Sequence, residues 1–159
     1  MPQRDLIHQI VKQALIRDGW EITDDPFVIS FGERFLFIDL GATAISPDEH
    51  IESGWIGAQR GEQRIAIEIK EFRGKSVISD LEQAIGQYML YRLLLNRIEP
   101  ERSLYLAVTD AMFDDIFREP IGDVVIHDLP LQLLVVDREK QEVRQWIPQP
   151  IVKLSNKQS

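Results

Sequence analysis

Hydrophobic residues recur along this chain at two spacings, one typical of amphipathic helices and one typical of β-strands. Between Asp5 and Arg17 the apolar residues recur at the spacing of one helix face, and Gly19 follows as a C-terminal stop. From Val77 to Asn96 the same spacing returns over a longer stretch. The pattern therefore predicts two amphipathic helices, one at each end of the first half of the chain.

Strand patterns fill most of the remaining sequence. The clearest is 64–70, where isoleucine occupies every second position from Ile65 to Ile69. The other predicted elements are a β-hairpin over 27–31 and 34–40, a strand over 103–108, a short helix over 110–117 that ends before Pro120, and a second hairpin over 131–136 and 142–147. Residues 41–63 contain several glycines and follow neither period, so they are predicted to form a long loop.

The order of these elements indicates the fold class. A helix, three strands, a helix and a further strand predict an α/β protein with a mixed β-sheet flanked by helices, to which the C-terminal hairpin is added. No repeat or linker divides the chain, so we expect a single domain over 1–150 and a polar tail over 151–159.

Composition narrows the class of protein. The 159 residues include 18 Lys and Arg against 26 Asp and Glu, giving a formal net charge of −8, with 44% hydrophobic residues and no cysteine. This balance is typical of a globular chain and excludes disulfide frameworks, thiolate metal sites and cysteine nucleophiles. With no apolar leader and no membrane-length apolar run, it favours a cytoplasmic protein without a membrane association. The negative charge also argues against nucleic-acid binding through general basicity.

Three polar residues on two neighbouring predicted strands could share one ligand. Glu68 and Lys70 are two positions apart in a strand and so project from the same face, while Asp39 lies near the end of the strand before. If the two strands pair, two carboxylates converge into the oxygen environment that Mg²⁺ prefers, with Lys70 beside the metal-bound water. A solvated strand face is the competing interpretation, and it is favoured by the E-x-K spacing taken alone. The small Ala66 between large isoleucines indicates instead that another element covers this face.

The second helix offers further candidates. Gln83 and Gln87 lie one turn apart, with Tyr91 on the next turn, so their amides could bond a metal-bound water or a phosphate; a wet helix surface explains them equally well. Gly86 is costly inside a helix and predicts close approach to the sheet. In the first helix, His8 is a lone histidine without a second ligand at metal-binding spacing, so we interpret it as a surface residue.

Asp39, Glu68-Ile69-Lys70 and Gln87 to Tyr91 resemble the D…(D/E)-x-K…Q-x-x-x-Y signature of the PD-(D/E)xK, or restriction-endonuclease-like, superfamily, with Ile38 where the signature has proline. The resemblance implies a restriction-endonuclease-like core. It also implies that Asp39 and Glu68 bind Mg²⁺, for which Mn²⁺ can substitute, and that Lys70 and Gln87 complete the catalytic set.

A second resemblance extends over nearly the whole chain. It is carried by blocks in one order: Asp5 to His8, Arg17 to Trp20, Phe37 to Ala42, Ile67 to Lys70, Asp80 to Tyr88 and Leu104 to Val108. These are similar to the XisH family of cyanobacteria, known as fdxN-element excision controlling factors. The resemblance implies that the chain acts with a small XisI-like partner in support of a recombinase that removes a DNA element.

Two classes of function follow from these resemblances. One is an accessory factor for site-specific excision, whose nuclease-like core serves as a scaffold for an XisI-like protein or for DNA. The other is an active Mg²⁺-dependent DNA endonuclease. The net charge predicts that DNA binding by the chain alone is weak, and self-association into a homo-oligomer stays open.

Overall fold

The structure is a computed structural model, and it describes residues 3–45, 62–72, 76–148 and 150. Its helices are α1 (Gln3–Arg17), α2 (Val77–Ile98), α3 (Asp110–Met112), which continues as a π-helical segment (Phe113–Phe117), and α4 (Pro120–Asp128). Its strands are β1 (Glu21–Asp24), β2 (Phe27–Phe31), β3 (Arg34–Ile38), β4 (Leu40–Ile45), β5 (Glu62–Ile69), β6 (Arg102–Thr109), β7 (Leu133–Asp137) and β8 (Glu142–Ile147).

Six strands form one mixed sheet in the order β1-β4-β5-β6-β7-β8, and β2 and β3 form a separate two-stranded sheet. The pairs β1–β4, β4–β5 and β7–β8 are antiparallel, whereas β5–β6 and β6–β7 are parallel. The helix α2 connects β5 to the parallel strand β6. The predicted mixed sheet with flanking helices is therefore confirmed, and the C-terminal hairpin continues this sheet.

Helices cover both faces of the sheet, and alternate strand positions divide between them. On one face Ile65 and Ile67 of β5 pack in a core with the apolar side of α1. On the other face Ala66 of β5 packs with α2, whose buried residues are Leu81, Ala84, Tyr88, Tyr91 and Leu95. The β2–β3 hairpin adds Ile29 and Ile38 to this second core, and both side chains are fully buried.

Three predictions from the sequence are wrong in detail. The predicted hairpin strand over 34–40 ends at Ile38, and Leu40 begins a new strand, β4. Residues 41–45 and 62–63 belong to β4 and β5 instead of a loop, while 46–61 lie outside the described residues. Three elements were not predicted at all, namely β1, β4 and α4.

The small residues of β4 explain why it resembles a loop. A Cβ atom on Gly41 would lie 2.9 Å from Oδ2 of Asp24 and 3.1 Å from Cδ1 of Phe27. A larger residue here would push against the side chains of β1 and β2, so this glycine marks a crowded strand position. The polar tail predicted over 151–159 lies outside the described residues.

Across the part of the chain that the structure describes, no helix combines the length and apolar character needed to cross a membrane.

Candidate functional site

The strand register brings the two predicted acids together. In the antiparallel pair β4–β5, Leu40 lies opposite Ile67 and Gly41 lies opposite Ala66. One step further along the same register places Asp39 opposite Glu68, and directly opposed residues of antiparallel strands project from the same face. The two carboxylates are thus neighbours although 29 residues separate them in the chain.

Reciprocal hydrogen bonds fix these two side chains. The backbone N–H of Ile69 donates to Oδ2 of Asp39 at 2.8 Å, and the backbone N–H of Asp39 donates to Oε1 of Glu68 at 3.3 Å. Each carboxylate therefore accepts from the backbone of the opposite strand, at the point where the regular β4–β5 ladder ends. Bonds from backbone N–H groups favour the ionised form of a carboxylate, which is the form that binds a cation.

The face that carries Glu68 is covered, as the small Ala66 indicated. Glu68 is only 7% exposed and Ala66 is fully buried against the α2 side of the sheet. A carboxylate so far removed from water is expected to be paired or to bind a ligand. The burial contradicts a solvated strand face, which was the competing interpretation of the E-x-K spacing.

Lys70 extends from the same edge of the sheet. Its backbone N–H donates to the carbonyl oxygen of Ala107 at 3.0 Å, which continues the β5–β6 pairing one residue past β5. Its Nζ donates to Oε1 of Gln83 on α2 at 3.4 Å. The same helix carries Gln87, whose Nε2 donates to the hydroxyl of Tyr91 at 3.2 Å. The two glutamines therefore have different contacts: Gln83 holds the ammonium, and Gln87 is held by the tyrosine.

A cavity of about 240 Å³ opens where these residues meet. Its lining contains all four predicted site residues together with four others: Asp39, Glu68, Lys70, Gln87, Ile7, His8, Ile69 and Glu71. This volume exceeds the space of one water, for which roughly 30 Å³ is the share in the liquid, so the cavity could hold a hydrated ion and part of a substrate.

The sequence analysis missed two of the lining residues that carry polar side chains. Glu71 follows Lys70 directly, and its Oε2 accepts from Nη1 of Arg138 at 3.3 Å. His8 comes from α1 and was interpreted as a surface residue. His8 reaches the cavity because α1 packs beside the end of β5. This proximity depends on tertiary packing and cannot be read from the spacing of residues in the sequence.

His8 is part of a small charged network at the cavity wall. Its Nε2 lies 2.8 Å from Oδ1 of Asp25, and Nζ of Lys12 donates to Oδ2 of the same carboxylate at 2.8 Å. Burial alone raises the pKa of Asp25, but the hydrogen bonds from Lys12 and His8 outweigh it and hold that pKa below its ordinary value of 3.8. Asp25 is therefore ionised at neutral pH.

One helical prediction is wrong. Gly86 is exposed, and a Cβ atom built on it would have nothing within 4 Å, so this glycine marks no close approach of α2 to the sheet.

The basic residue Arg64, at the other end of β5, pairs with Glu99 at 3.0 Å and does not line the cavity.

The donor set at the cavity suits a hard divalent cation held only in part by protein. Mg²⁺ commonly takes one or two carboxylates and completes its shell with water and substrate phosphate, and Asp39 and Glu68 supply two such carboxylates. Among the described residues, no group of three or more His, Asp or Glu side chains is arranged to hold a metal ion by itself. Asp39 and Glu68 could therefore hold such a cation only together with oxygens from water or a substrate.

Comparisons with known proteins agree with this fold. The sequence model of the XisH protein family matches residues 1–144. A crystallised fdxN element excision controlling factor protein from Anabaena variabilis is 36% identical, with a TM-score of 0.73, over 90% of this chain and 98% of that one. An XisH family protein from Nostoc punctiforme is 34% identical, also with a TM-score of 0.73, over 89% of this chain and 98% of that one. None of the curated proteins matches the chain.

Proposed function

The chain belongs to the XisH family, and on that premise we propose that it acts as an accessory factor in the site-specific excision of a DNA element, on a restriction-endonuclease-like core. The observation that carries the proposal is the similarity over 90% of the chain to a protein named as an excision controlling factor. In this role the chain acts with an XisI-like partner and a recombinase, and it contacts DNA weakly when alone.

The connectivity supports the endonuclease-like core. The helix α1 precedes three antiparallel strands of the main sheet, β1, β4 and β5, and α2 then leads to the parallel strand β6. The main sheet thus has a helix, three-strand, helix, strand order, but two of its three strands differ from the predicted ones: β1 and β4 take the places assigned to 27–31 and 34–40, which form a separate sheet. The β2–β3 hairpin is an insertion between the first two of these strands.

The accessory role is tested by reconstituting excision. A plasmid carrying the element, its recombinase and an XisI-like protein are combined with and without the chain, and the excised junction is amplified. We expect the junction only when the chain is present and expect the chain to co-purify with the XisI-like protein. Excision that proceeds equally without the chain, or no complex at micromolar concentrations, would contradict this role.

The cavity favours a second candidate function, a Mg²⁺-dependent DNA endonuclease. Its support is the convergence of Asp39, Glu68 and Lys70 on one covered edge of the sheet. Asp39 and Glu68 would hold Mg²⁺, which when bound lowers the pKa of a coordinated water and offsets charge on the phosphate. Lys70 would orient the attacking water or stabilise the charge that develops on the phosphate, while Gln87 positions the water from α2.

Calorimetry tests the metal site directly. Mg²⁺ and Mn²⁺ are titrated into the wild type, into Glu68→Gln, which keeps the shape of the side chain without its charge, and into Glu82→Gln as an exposed control on α2. We expect binding to the wild type and to Glu82→Gln, with loss in Glu68→Gln. Equal binding in all three would exclude Glu68 as a ligand.

Cleavage is then measured on supercoiled plasmid with Mg²⁺. Lys70→Met should keep metal binding and lose nicking, since Lys70 acts on the water and not on the metal. If the wild type binds the metal without nicking DNA, the accessory function stands and the endonuclease function falls.

A further inference from the structure

The charged network at the cavity wall goes beyond the four residues of the proposed site. His8 lines the same cavity as Asp39, Glu68 and Lys70, although it belongs to α1 and lies at the other end of the first half of the chain. Its ring is held by Asp25, and Asp25 is held in turn by Lys12. The side chains of His8, Asp25 and Lys12 are each about one-quarter to one-third exposed, so the network lies at the mouth of the cavity and not in the core.

The hydrogen bond to Asp25 determines which ring nitrogen remains for a ligand. A carboxylate accepts, so Nε2 of His8 is the nitrogen that carries the proton in this contact. The second nitrogen, Nδ1, has no hydrogen-bond partner among the described residues. A carboxylate behind a histidine fixes the orientation of the ring. Nδ1 can then donate only when it carries a proton as well, that is, when the ring is an imidazolium.

The charges around the cavity indicate what kind of ligand such a histidine would meet. Asp39, Glu68 and Glu71 make the lining acidic, so an anion can enter only where positive groups receive it. Lys70 is one such group, and Lys12 is already bonded to Asp25. With a proton on both ring nitrogens, the histidine is a second cationic donor, and a charge-assisted hydrogen bond to an anion is stronger than one between neutral groups.

We propose that His8 contacts the phosphate group of a nucleic-acid strand in this cavity, with Asp25 and Lys12 as positioning residues. The inference rests on the proposed nucleic-acid chemistry of the site and adds to it the group that receives the phosphate. Nδ1 of His8 donates to a phosphate oxygen, Nε2 remains bonded to Asp25, and Lys12 keeps Asp25 in place. No bond of the phosphate is made or broken in this contact.

One substitution separates this role from a structural one. In His8→Gln the amide nitrogen occupies the place of Nε2, so the bond to Asp25 is kept and the second ring nitrogen is lost. In His8→Ala both are lost. His127 provides a matched control, because it also lies near an aspartate, Asp123 at 3.2 Å, but its side chain is 68% exposed and does not line the cavity.

The experiment measures binding of a fluorescein-labelled DNA duplex by anisotropy, in EDTA and in Ca²⁺, at fixed ionic strength. We expect His8→Ala and His8→Gln to weaken binding about tenfold, the size of one charge-assisted hydrogen bond, and Asp25→Asn to weaken it less. His127→Ala should bind as the wild type does. Circular dichroism spectra and thermal melts confirm that each variant is folded.

A competition arm identifies the recognised group. Inorganic phosphate should displace the duplex from the wild type more effectively than chloride at the same ionic strength, and it should lose that advantage in His8→Gln. If phosphate displaces the duplex from the wild type no better than chloride does, the phosphate contact is overturned.

Other results overturn the inference separately from the proposed function. If His8→Gln binds DNA within about twofold of the wild type while His8→Ala does not, His8 acts only through Asp25. A wild type that binds neither probe at millimolar concentration also overturns it. The EDTA arm keeps the test independent of the metal, since loss of Mg²⁺ binding in calorimetry bears on Asp39 and Glu68 and leaves the His8 comparison intact.

Discussion

At the scale of single residues, carboxylates join elements that are distant in the chain. Oδ2 of Asp18, at the end of α1, accepts from Nε1 of Trp20 at 3.2 Å and from Nε1 of Trp146 on β8 at 3.1 Å. Both indole rings are nearly buried, and Trp146 also packs edge-on against Tyr105 at 4.9 Å. One carboxylate thus satisfies two buried donors, which fixes α1 to the last strand of the sheet.

Replacing Asp18 should therefore destabilise the whole fold. We expect Asp18→Ala to lower the free energy of unfolding by about 1–3 kcal/mol, because two indole N–H groups lose their acceptor. Urea denaturation followed by tryptophan fluorescence measures the change. Asp115→Ala, at an exposed position, is the control and should leave the midpoint unchanged; a similar small effect at Asp18 would contradict the bridging role.

Asp25 gives stability a specific pH dependence. Burial alone raises its pKa, but the bonds from Lys12 and His8 hold the pKa below 3.8, the ordinary value expected in the unfolded chain. A carboxylate whose pKa is lower in the folded state stabilises the fold above its unfolded pKa and loses this contribution as the pH falls through the folded value.

We therefore expect Asp25→Asn to be less stable than the wild type at neutral pH and the difference to shrink as the pH falls below about 4. Chemical denaturation at several pH values, analysed as the difference between the two proteins, measures this. A difference that stays constant down to pH ~2 would show that the charge of Asp25 has no part in it.

At the scale of elements, two helix glycines have opposite surroundings. Gly86 in α2 has open space around it, whereas a Cβ atom on Gly122 in α4 would clash with the carbonyl oxygen of Ile116 and with Cα of Phe117. The start of α4 therefore packs directly on the backbone of the π-helical segment, and only glycine allows that distance.

This contrast predicts opposite effects for one substitution. Gly86→Ala should stabilise the protein by about 1 kcal/mol through helix propensity, while Gly122→Ala should destabilise it by several times that amount through backbone clash. Thermal and chemical denaturation of the two variants measure both. Equal effects would mean that α4 shifts freely away from the π-helical segment.

The sequence correctly predicted the elements in which buried residues recur at a regular helix or strand spacing. The strand β5, with isoleucine at alternate positions, and the helix α2 were both located within a few residues. The strand β4 was missed because Gly41 is small where the side chains of β1 and β2 approach it closely. Such a tertiary contact cannot be read from the sequence pattern. The helix α4 was missed because Pro120 was interpreted as a stop, whereas it occupies the first turn, where a missing N–H costs nothing.

The candidate site divides in the same way. Glu68 and Lys70 share a face by strand geometry alone, and Asp39 joins them through the β4–β5 register. His8 could not be found from the sequence, because its position depends on the packing of α1 against the end of β5. The sequence located Asp39, Glu68, Lys70 and Gln87, whereas His8 is brought to the cavity by the packing of α1.

At the scale of the whole molecule, the proposed metal site links a local ion to global stability. A ligand that binds only the folded state stabilises it in proportion to the logarithm of its concentration, about 1.4 kcal/mol at ten times the dissociation constant. Mg²⁺ should therefore raise the melting temperature of the wild type and leave that of Glu68→Gln unchanged.

Differential scanning calorimetry over a series of Mg²⁺ concentrations measures this effect. Na⁺ at matched ionic strength is the control, because screening of the −8 net charge also changes stability without any specific site. The same rise with Na⁺ as with Mg²⁺ would assign the effect to screening alone.

The carboxylates of Asp39 and Glu68 each accept a hydrogen bond from the backbone of the opposite strand, so these acids also have a structural role. Each one bonds to the backbone of the opposite strand where the β4–β5 ladder ends, so the acidic pair assembles when the sheet folds. A well-formed sheet edge therefore requires both residues, whether or not the chain cuts DNA. The side chain of Lys70 bonds to Gln83 of α2 and to no strand, so a substitution there separates the proposed chemistry from the folding of the sheet edge.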